Sequence, residues 1–278
     1  MAGQLIRLPG VTAAAAAGAP RIVMTAPDAV AAKIASLKHV VSARSMTALS
    51  GGGVTGRCRL TGKVLTPAGA NIDRWQIVTL AGREALYSGP AASGGQGAAA
   101  SILLPAGSYT ESFTLVSAFA WDAADRAGNY LTNFIVGYPD PSAPSTTSCT
   151  LRAWGQQYAT ESARNRVATG TKSVGSVTKV IPETTWGVFV CDFNAETRLI
   201  SLSINSGDVF DQVVETGSVT ALAEGAFLEI GYRYSNNALR NSKFGDLYTF
   251  DESLLSTALG AVQLKELVAE LKTYYSIA

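Results

Sequence analysis

The chain has 278 residues, of which 47% are hydrophobic and 27 are glycine. A chain of this length can bury one large core. Its composition is typical of an ordered protein rich in strands and turns and excludes a disordered chain. The 22 basic residues nearly balance 21 acidic ones, so the sequence offers no basic surface for nucleic acid. A near-neutral balance is compatible with a subunit that packs among other subunits.

The first 56 residues differ in character from the rest and are predicted to form an N-terminal arm. Pro9, Gly10 and the alanine run at 13–17 indicate an extended segment. The apolar residues lie around Arg7 rather than after it, so we predict no signal peptide. No apolar run reaches the roughly 20 residues that a membrane span needs, so we predict no membrane association.

A short helix is predicted inside this arm. Pro27 and Asp28 are typical of a helix start. An apolar stripe at helical spacing then follows, formed by Val30, Ile34, Leu37 and Val41. The single histidine, His39, falls in this segment, where a structural role is expected. The glycines at 51–53 predict a joint before the main domain, 57–278.

In the main domain short strands are predicted to alternate with turns. The triplet Pro67-Ala68-Gly69 predicts one of these turns. Every second residue of 113–121 shares one face, as expected for a strand: Phe113, Leu115, Ser117, Phe119 and Trp121. The strands predicted up to residue 181 are 59–65, 75–80, 113–121, 130–136, 150–154 and 174–181.

The clearest pattern lies between residues 186 and 275. The strand at 186–193 is apolar on both faces, as is typical of a central strand. A turn at Asn194 leads to a strand at 199–204, and strands at 227–231 and 244–250 follow. Ser256 is predicted to cap an amphipathic helix. The apolar side of this helix carries Leu264, Leu267, Val268, Leu271 and Tyr275.

The order of these features resembles a known family. A strand led by Trp186 is followed by Asn205-Ser206-Gly207, Leu228-Glu229-Ile230-Gly231, Phe244-Gly245-Asp246-Leu247-Tyr248 and Leu254-Leu255-Ser256. In this order the last third of the chain resembles laminin-G-like domains of the concanavalin A-like lectin/glucanase sandwich. The resemblance implies an all-β jelly roll of two antiparallel sheets, here with an N-terminal arm and a C-terminal helix. The turn at 205–207 has one residue more than the family pattern, and nothing before residue 60 resembles the family.

The resemblance implies a fold rather than one activity. A sandwich of this kind behind an alanine-rich arm is similar to accessory proteins of tailed-phage virions, from the head, collar or tail. The resulting prediction is a non-enzymatic structural or decoration protein of the virion, assembled in the host cytoplasm. Its arm would anchor it to other virion proteins, and the chain would form a homo-oligomer. The alternative is a carbohydrate-binding module that recognises host surface glycans.

Catalytic patterns are not evident. Glucanases of this fold use Glu-x-Asp-x-x-Glu on one strand, so that two carboxylates flank the glycosidic bond. The nearest pairs here fall at turns or strand ends: Asp122 with Asp125, Asp208 with Asp211, and Asp251 with Glu252. Carboxylates at such positions usually cap or solvate a loop. We therefore predict that the chain is not an enzyme.

The candidate calcium site and the candidate disulfide each have a simpler alternative. Laminin-G-like domains often bind Ca²⁺ at the rim of the sandwich, and Asp122 and Asp125 are the best candidates, with Asp192 after them. An acidic turn without metal is the alternative, and no other cofactor is predicted. The three cysteines are either buried thiols or contain one bridge: Cys58, Cys149 and Cys191.

A glycan contact is predicted on the loop after the strand at 227–231. Tyr232 and Tyr234 offer flat apolar faces, and Asn236 and Asn237 offer amide hydrogen bonds. A protein interface would use the same residues, because tyrosine is also enriched there.

Overall fold

The structure is a computed structural model, and it describes residues 24–89, 100–120, 131–143, 149–154, 164–169, 186–215, 221–232 and 242–278. Within 131–133, 149–154 and 164–169 it describes the backbone alone. The predicted all-β sandwich is confirmed, since two eight-stranded antiparallel sheets face each other across a shared core. Two α-helices of the described residues flank the strands: α1, Ala26–Ala31, and α2, Ala258–Tyr275. Neither helix is long and apolar enough to cross a membrane.

The first sheet has the order β14-β13-β12-β8-β16-β6-β5, and β1 pairs with β16 beside this path. Its strands are β1 Leu37–Ser42, β5 Gln76–Leu80, β6 Arg83–Tyr87, β8 Phe113–Ala120, β12 Gly187–Asn194, β13 Leu199–Ile204, β14 Asp211–Val214 and β16 Lys243–Phe250.

The second sheet has the order β11-β10-β9-β15-β7-β4-β3-β2. Its strands are β2 Met46–Ala48, β3 Val54–Arg57, β4 Val64–Gly69, β7 Ala100–Leu103, β9 Leu131–Tyr138, β10 Cys149–Trp154, β11 Arg164–Thr169 and β15 Phe227–Gly231. The turn predicted at Pro67-Ala68-Gly69 is wrong, because these residues belong to β4 and pair with β7.

The core between the sheets follows from the alternation of side chains along each strand. In β8, Phe113, Leu115 and Phe119 face this core, as predicted. The ring of Phe119 stacks on that of Phe189 from β12, with centroids 3.8 Å apart. Phe134 of the second sheet closes the same group at 4.6 Å from Phe119. Aromatic contacts therefore join the two sheets at their centre.

The opposite face of the first sheet carries a second apolar layer. Val116 and Ala118 of β8 and Val188 and Val190 of β12 point there and pack under the helices. The predicted apolar side of α2 is confirmed, because all of its members are buried in this layer: Leu264, Leu267, Val268, Leu271 and Tyr275. The helix begins one residue later than predicted, since Thr257 rather than Ser256 is its N-cap.

The helix predicted in the arm is correct at its start and wrong at its end. Thr25 and Asp28 form a capping box, and α1 then runs only to Ala31. Residues 37–42, expected to continue the helix, form β1 and pair with β16. His39 therefore lies on a strand and is buried there.

Residues 26–56 pack as part of the sandwich. Val30 and Ile34 lie in the layer under α2, while Val41 and Val54 lie in the core between the sheets. Residues 1–23 lie outside the described residues, so the assembly role predicted for the arm stays a prediction for that segment.

Candidate functional site on the second sheet

The candidate site lies on the outer face of the second sheet, opposite the two described helices. Both described helices pack on the first sheet. The second sheet turns Ile102, Leu228 and Ile230 toward the core. Alternation therefore directs Ser101 and Glu229 to its outer face. Polar residues of the second sheet thus meet on the face opposite the helices.

Glu229 is the centre of this outer-face cluster. Its carboxylate accepts a hydrogen bond from the Tyr138 hydroxyl at 2.6 Å and another from the Ser101 hydroxyl at 3.0 Å. All three side chains are completely buried. Burying a carboxylate without partners is costly, so the two hydroxyl donors explain why Glu229 is tolerated in the middle of an apolar strand.

An aromatic pair extends the cluster along the same face. Phe227 lies opposite Tyr138 in the register of β15 and β9. Their rings stack nearly parallel, with centroids 4.9 Å apart and planes 17° apart. Phe227 is half-buried, whereas Tyr138 is fully buried. The buried tyrosine, held by Glu229, therefore backs a phenylalanine ring that reaches the surface.

The predicted glycan loop begins where this cluster ends. Gly231 closes β15 with a φ of +84°, and a Cβ atom there would lie 2.7 Å from the Ala100 carbonyl oxygen. Glycine is therefore required at the end of the strand. Tyr232 follows and is half-buried. Tyr234, Asn236 and Asn237 lie outside the described residues.

The calcium candidates are not brought together by the described residues. Asp122 and Asp125 lie outside them, and the described part of the chain has no group of three or more His, Cys, Asp or Glu side chains that could hold a metal. Asp192 is buried and accepts hydrogen bonds from Thr114 and Ser253. Burial raises the pKa of Asp192. Asp192 thus joins β8 and β12 to the connection that leads into α2.

The cysteines occupy different surroundings. Cys58 is a free, buried thiol whose sulfur accepts a hydrogen bond from the Val40 amide at 3.5 Å. Cys191 is buried in the core between the sheets. The side chain of Cys149 lies outside the described residues, so a bridge that involves it stays untested.

A second cluster of buried charges lies beside α1. The Arg44 guanidinium donates to both oxygens of Asp246, at 3.0 and 3.2 Å, and lies 3.5 Å from Asp28. Asp28 also pairs with Arg59 at 2.7 Å. Burial opposes ionisation of Asp28, but the Thr25 amide and the two arginines outweigh it and lower its pKa.

Two tyrosines close this second cluster. Tyr248 donates to Asp28 at 2.8 Å, and Tyr275 donates to Asp246 at 2.9 Å. Burial, together with the adjacent carboxylates, raises the pKa of both phenols well above the usual value. The cluster therefore joins α1, β16 and α2 through compensated charges, which is a structural role.

The sequence patterns missed the outer-face cluster. In the sequence Glu229 stands out only as part of the motif Leu228-Glu229-Ile230-Gly231, although one acid among apolar strand residues is itself a signal of a paired, buried carboxylate. Its partners lie 91 and 128 residues away along the chain. No local pattern relates residues at that separation.

Comparisons with solved structures support the β-sandwich fold. No protein-family model and no curated protein matches the chain. Among solved structures, domain 4 of an extracellular arabinanase from Geobacillus stearothermophilus, in complex with arabinotriose, is similar with a TM-score of 0.54 and 14% identity. The match covers 84% of this chain and 98% of that domain.

Trypanosoma rangeli sialidase is similar with a TM-score of 0.53 and 11% identity. The match covers 86% of this chain but only 33% of the sialidase. At these identities the likeness shows the fold, a β-sandwich found in carbohydrate-active proteins, and does not show an activity.

Proposed function

We propose that this chain is a non-catalytic carbohydrate-binding sandwich whose ligand lies on the outer face of the second sheet. The observation that carries the proposal is the outer-face cluster, in which Glu229 and Tyr138 support the half-buried ring of Phe227. This cluster lies on the face opposite both described helices and leads directly to Tyr232.

The chemistry of the cluster suits a sugar. The C–H faces of a pyranose or furanose are apolar and pack on an aromatic ring, and the hydroxyl groups need oriented polar partners. Phe227 provides the ring. Because Glu229 is fully buried, its role is to hold Tyr138, and through it Phe227, in one orientation.

The likeness to the arabinanase domain supports this proposal. That domain is in complex with arabinotriose, and this chain matches nearly its whole length. Arabinotriose is therefore the first oligosaccharide to test.

The surroundings of the acidic side chains support a non-catalytic protein. A retaining glycosidase needs two carboxylates about 5–5.5 Å apart that flank the bond to be cleaved. Glu229 is engaged by two hydroxyls, while Asp208 and Asp251 pair with Lys265 and Lys38. Carboxylates in these surroundings position other groups.

The proposal is tested by isothermal titration calorimetry with arabinotriose, followed by an oligosaccharide array. Phe227→Ala is expected to weaken binding at least tenfold without changing the melting temperature by more than a few degrees. Tyr87→Ala is the matched control, since Tyr87 is a half-buried aromatic on the first sheet. Absence of binding to every sugar, or equal loss in both variants, would contradict the proposal.

Two predictions from the sequence remain beside this proposal. If calcium binds at Asp122 and Asp125, EDTA is expected to lower the affinity for the sugar, and Asp122→Asn is expected to abolish this effect of EDTA.

The virion role is compatible with glycan binding, because a decoration protein can present such a surface. Immunogold labelling of purified particles would test that location.

A further inference from the structure

We propose that β14 is an interface at which two copies of this chain join edge to edge, so that the first sheet continues across a two-fold axis. The surface consists of β14, the preceding Val209 and Phe210, and the exposed side of α2 at Leu259 and Val262. The inference does not depend on the proposed sugar site, which lies on the other sheet.

The backbone of β14 has hydrogen-bonding groups that the other described strands do not pair. This strand is the last in its sheet, and among the described strands it pairs with β13 alone. The Glu215 amide donates to the Arg198 carbonyl at 2.8 Å. Alternation along the strand therefore turns the N–H and C=O groups of Gln212 and Val214 away from β13. An edge with such outward groups is a template for another strand.

Exposed hydrophobic side chains lie near this edge. Eight large hydrophobic side chains are exposed in the described residues; Val209 and Val214 lie next to or on β14, and Val262 of α2 lines the same surface cavity as Phe210 and Gln212. Val209 is 60% exposed and Val214 55%, while Leu259 and Val262 on α2 are 68% and 64% exposed. Exposed apolar groups gathered in one region indicate an interaction surface.

A groove joins the strand to the helix. It has a volume of about 420 Å³ and is lined by Phe210 and Gln212 on one side and by Val262 and Lys265 on the other. Lys265 pairs across it with Asp208 at 2.5 Å. Because the groove contains both signs of charge, a second copy meets no large field of its own sign.

The sequence of β14 suits pairing with a second copy of the same strand. If Gln212 lies on the two-fold axis opposite itself, Phe210 of each copy lies opposite Val214 of the other. Aromatic and β-branched residues are a favourable cross-strand pair. Asp211 then lies opposite Val213. Centring the axis on Val213 would instead place Gln212 opposite Val214, which sets a polar side chain against an apolar one and loses the pairing of Phe210 with Val214. The edge is therefore self-complementary in one register.

The first experiment is sedimentation equilibrium of the full chain at micromolar concentrations. Val214→Pro removes an N–H that the β13 ladder does not use, so the fold is expected to remain while the dimer is lost. Val214→Thr is the matched control, because it keeps the N–H and the branched shape. We expect a dimer for the natural chain and for V214T, and a monomer for V214P.

The second experiment tests the register. Two residues opposite each other in a hydrogen-bonded pair have Cα atoms about 5.5 Å apart, which lies within the range that a disulfide spans. Gln212→Cys is therefore expected to form a covalent dimer under mild oxidation. Val209→Cys is the control, since its two copies would be about 20 Å apart along the strand.

A natural chain that is monomeric throughout the concentration range would overturn the proposal. So would a dimer that V214P leaves unchanged, or equal crosslinking of Q212C and V209C. If V214P does not fold, Leu259→Lys combined with Val262→Lys decides, because both positions are solvent-exposed on α2. Persistence of the dimer in that variant would overturn the proposal as well.

Discussion

Single buried charges in this protein are tolerated because each has several partners. Asp246, within β16, is 1% exposed and is paired with Arg44 and Tyr275, whereas Asp251, directly after β16, is exposed and pairs with Lys38. The two aspartates thus give a direct comparison between a buried and an exposed ion pair. A buried pair that loses one member leaves an uncompensated charge, and an exposed pair contributes little.

Asp246→Asn is therefore expected to lower the free energy of unfolding by about 2–3 kcal/mol, because Arg44 keeps only Asp28 as its counter-ion. Asp251→Asn is the control and is expected to change it by less than about 1 kcal/mol. Urea unfolding followed by tryptophan fluorescence measures both. Equal effects of the two substitutions would show that the buried cluster carries no special weight.

The buried His39 is expected to make the folding stability depend on pH. Burial, followed by Lys38 and Lys63, lowers the pKa of His39 from 6.5 to about 4, and Asp251 opposes the shift only in part. Between these two values the unfolded chain binds a proton that the folded chain does not. The stability that the neutral His39 contributes is therefore fully present above pH 6.5 and is lost as the pH falls toward 4.

The loss due to His39 between pH 7.5 and pH 4.5 is expected to be about 2.5 kcal/mol in the free energy of unfolding. His39→Phe removes the titrating group, so its unfolding free energy should fall less over the same interval. Urea denaturation of both chains at the two pH values measures the difference. A parallel pH dependence in the two chains would contradict this assignment.

At the scale of elements, local pattern decided which predictions succeeded. The strand at 199–204 was predicted with the bounds that the structure has, because its apolar and polar residues alternate strictly. The segment at 37–42 was predicted as helix because Val30, Ile34, Leu37 and Val41 also fit a helical period. Pairing with β16 decided for a strand, and that contact joins residues more than 200 positions apart.

The start of α2 is fixed by a glycine where a helix would normally favour alanine. A Cβ atom on Gly260 would lie 2.3 Å from the Leu254 carbonyl oxygen. On an exposed helix, glycine to alanine gains about 1 kcal/mol. Here Gly260→Ala is expected to cost about 1–3 kcal/mol of unfolding free energy, because the helix must move away from the preceding turn.

Gly51→Ala is the control for this substitution, since a Cβ atom there meets nothing within 4 Å. It should leave the melting temperature unchanged or raise it slightly. Differential scanning calorimetry of the two variants makes the comparison. A Gly260→Ala variant that is more stable than the natural chain would show that the contact is relieved without cost.

On the scale of the whole molecule, three layers explain where a site can lie. The described helices and the second sheet lie on opposite sides of the first sheet, so Phe227 and its supports lie on the face of the sandwich away from those helices. The sequence predicted the sandwich. It did not predict the outer-face cluster, because Ser101, Tyr138 and Glu229 meet only when three separate strands pair.

The same layering changes what a truncation should do. The arm was predicted to end at residue 56, so that removal of residues 1–50 would leave a folded sandwich. Val30, Ile34, Val40 and Val41 are instead buried under α2 or between the sheets. Each such side chain contributes about 1.5–3 kcal/mol, so the loss of four approaches the total stability of a typical domain.

Deletion of residues 2–50 is therefore expected to abolish cooperative unfolding, whereas deletion of residues 2–23 keeps every contact described above and should retain it. Thermal melts followed by circular dichroism distinguish the two chains. A cooperative transition at an unchanged temperature in the shorter chain would mean that α1 and β1 are dispensable. If only the longer chain folds, any loss of assembly that it shows can be assigned to residues 2–23 and not to a damaged sandwich.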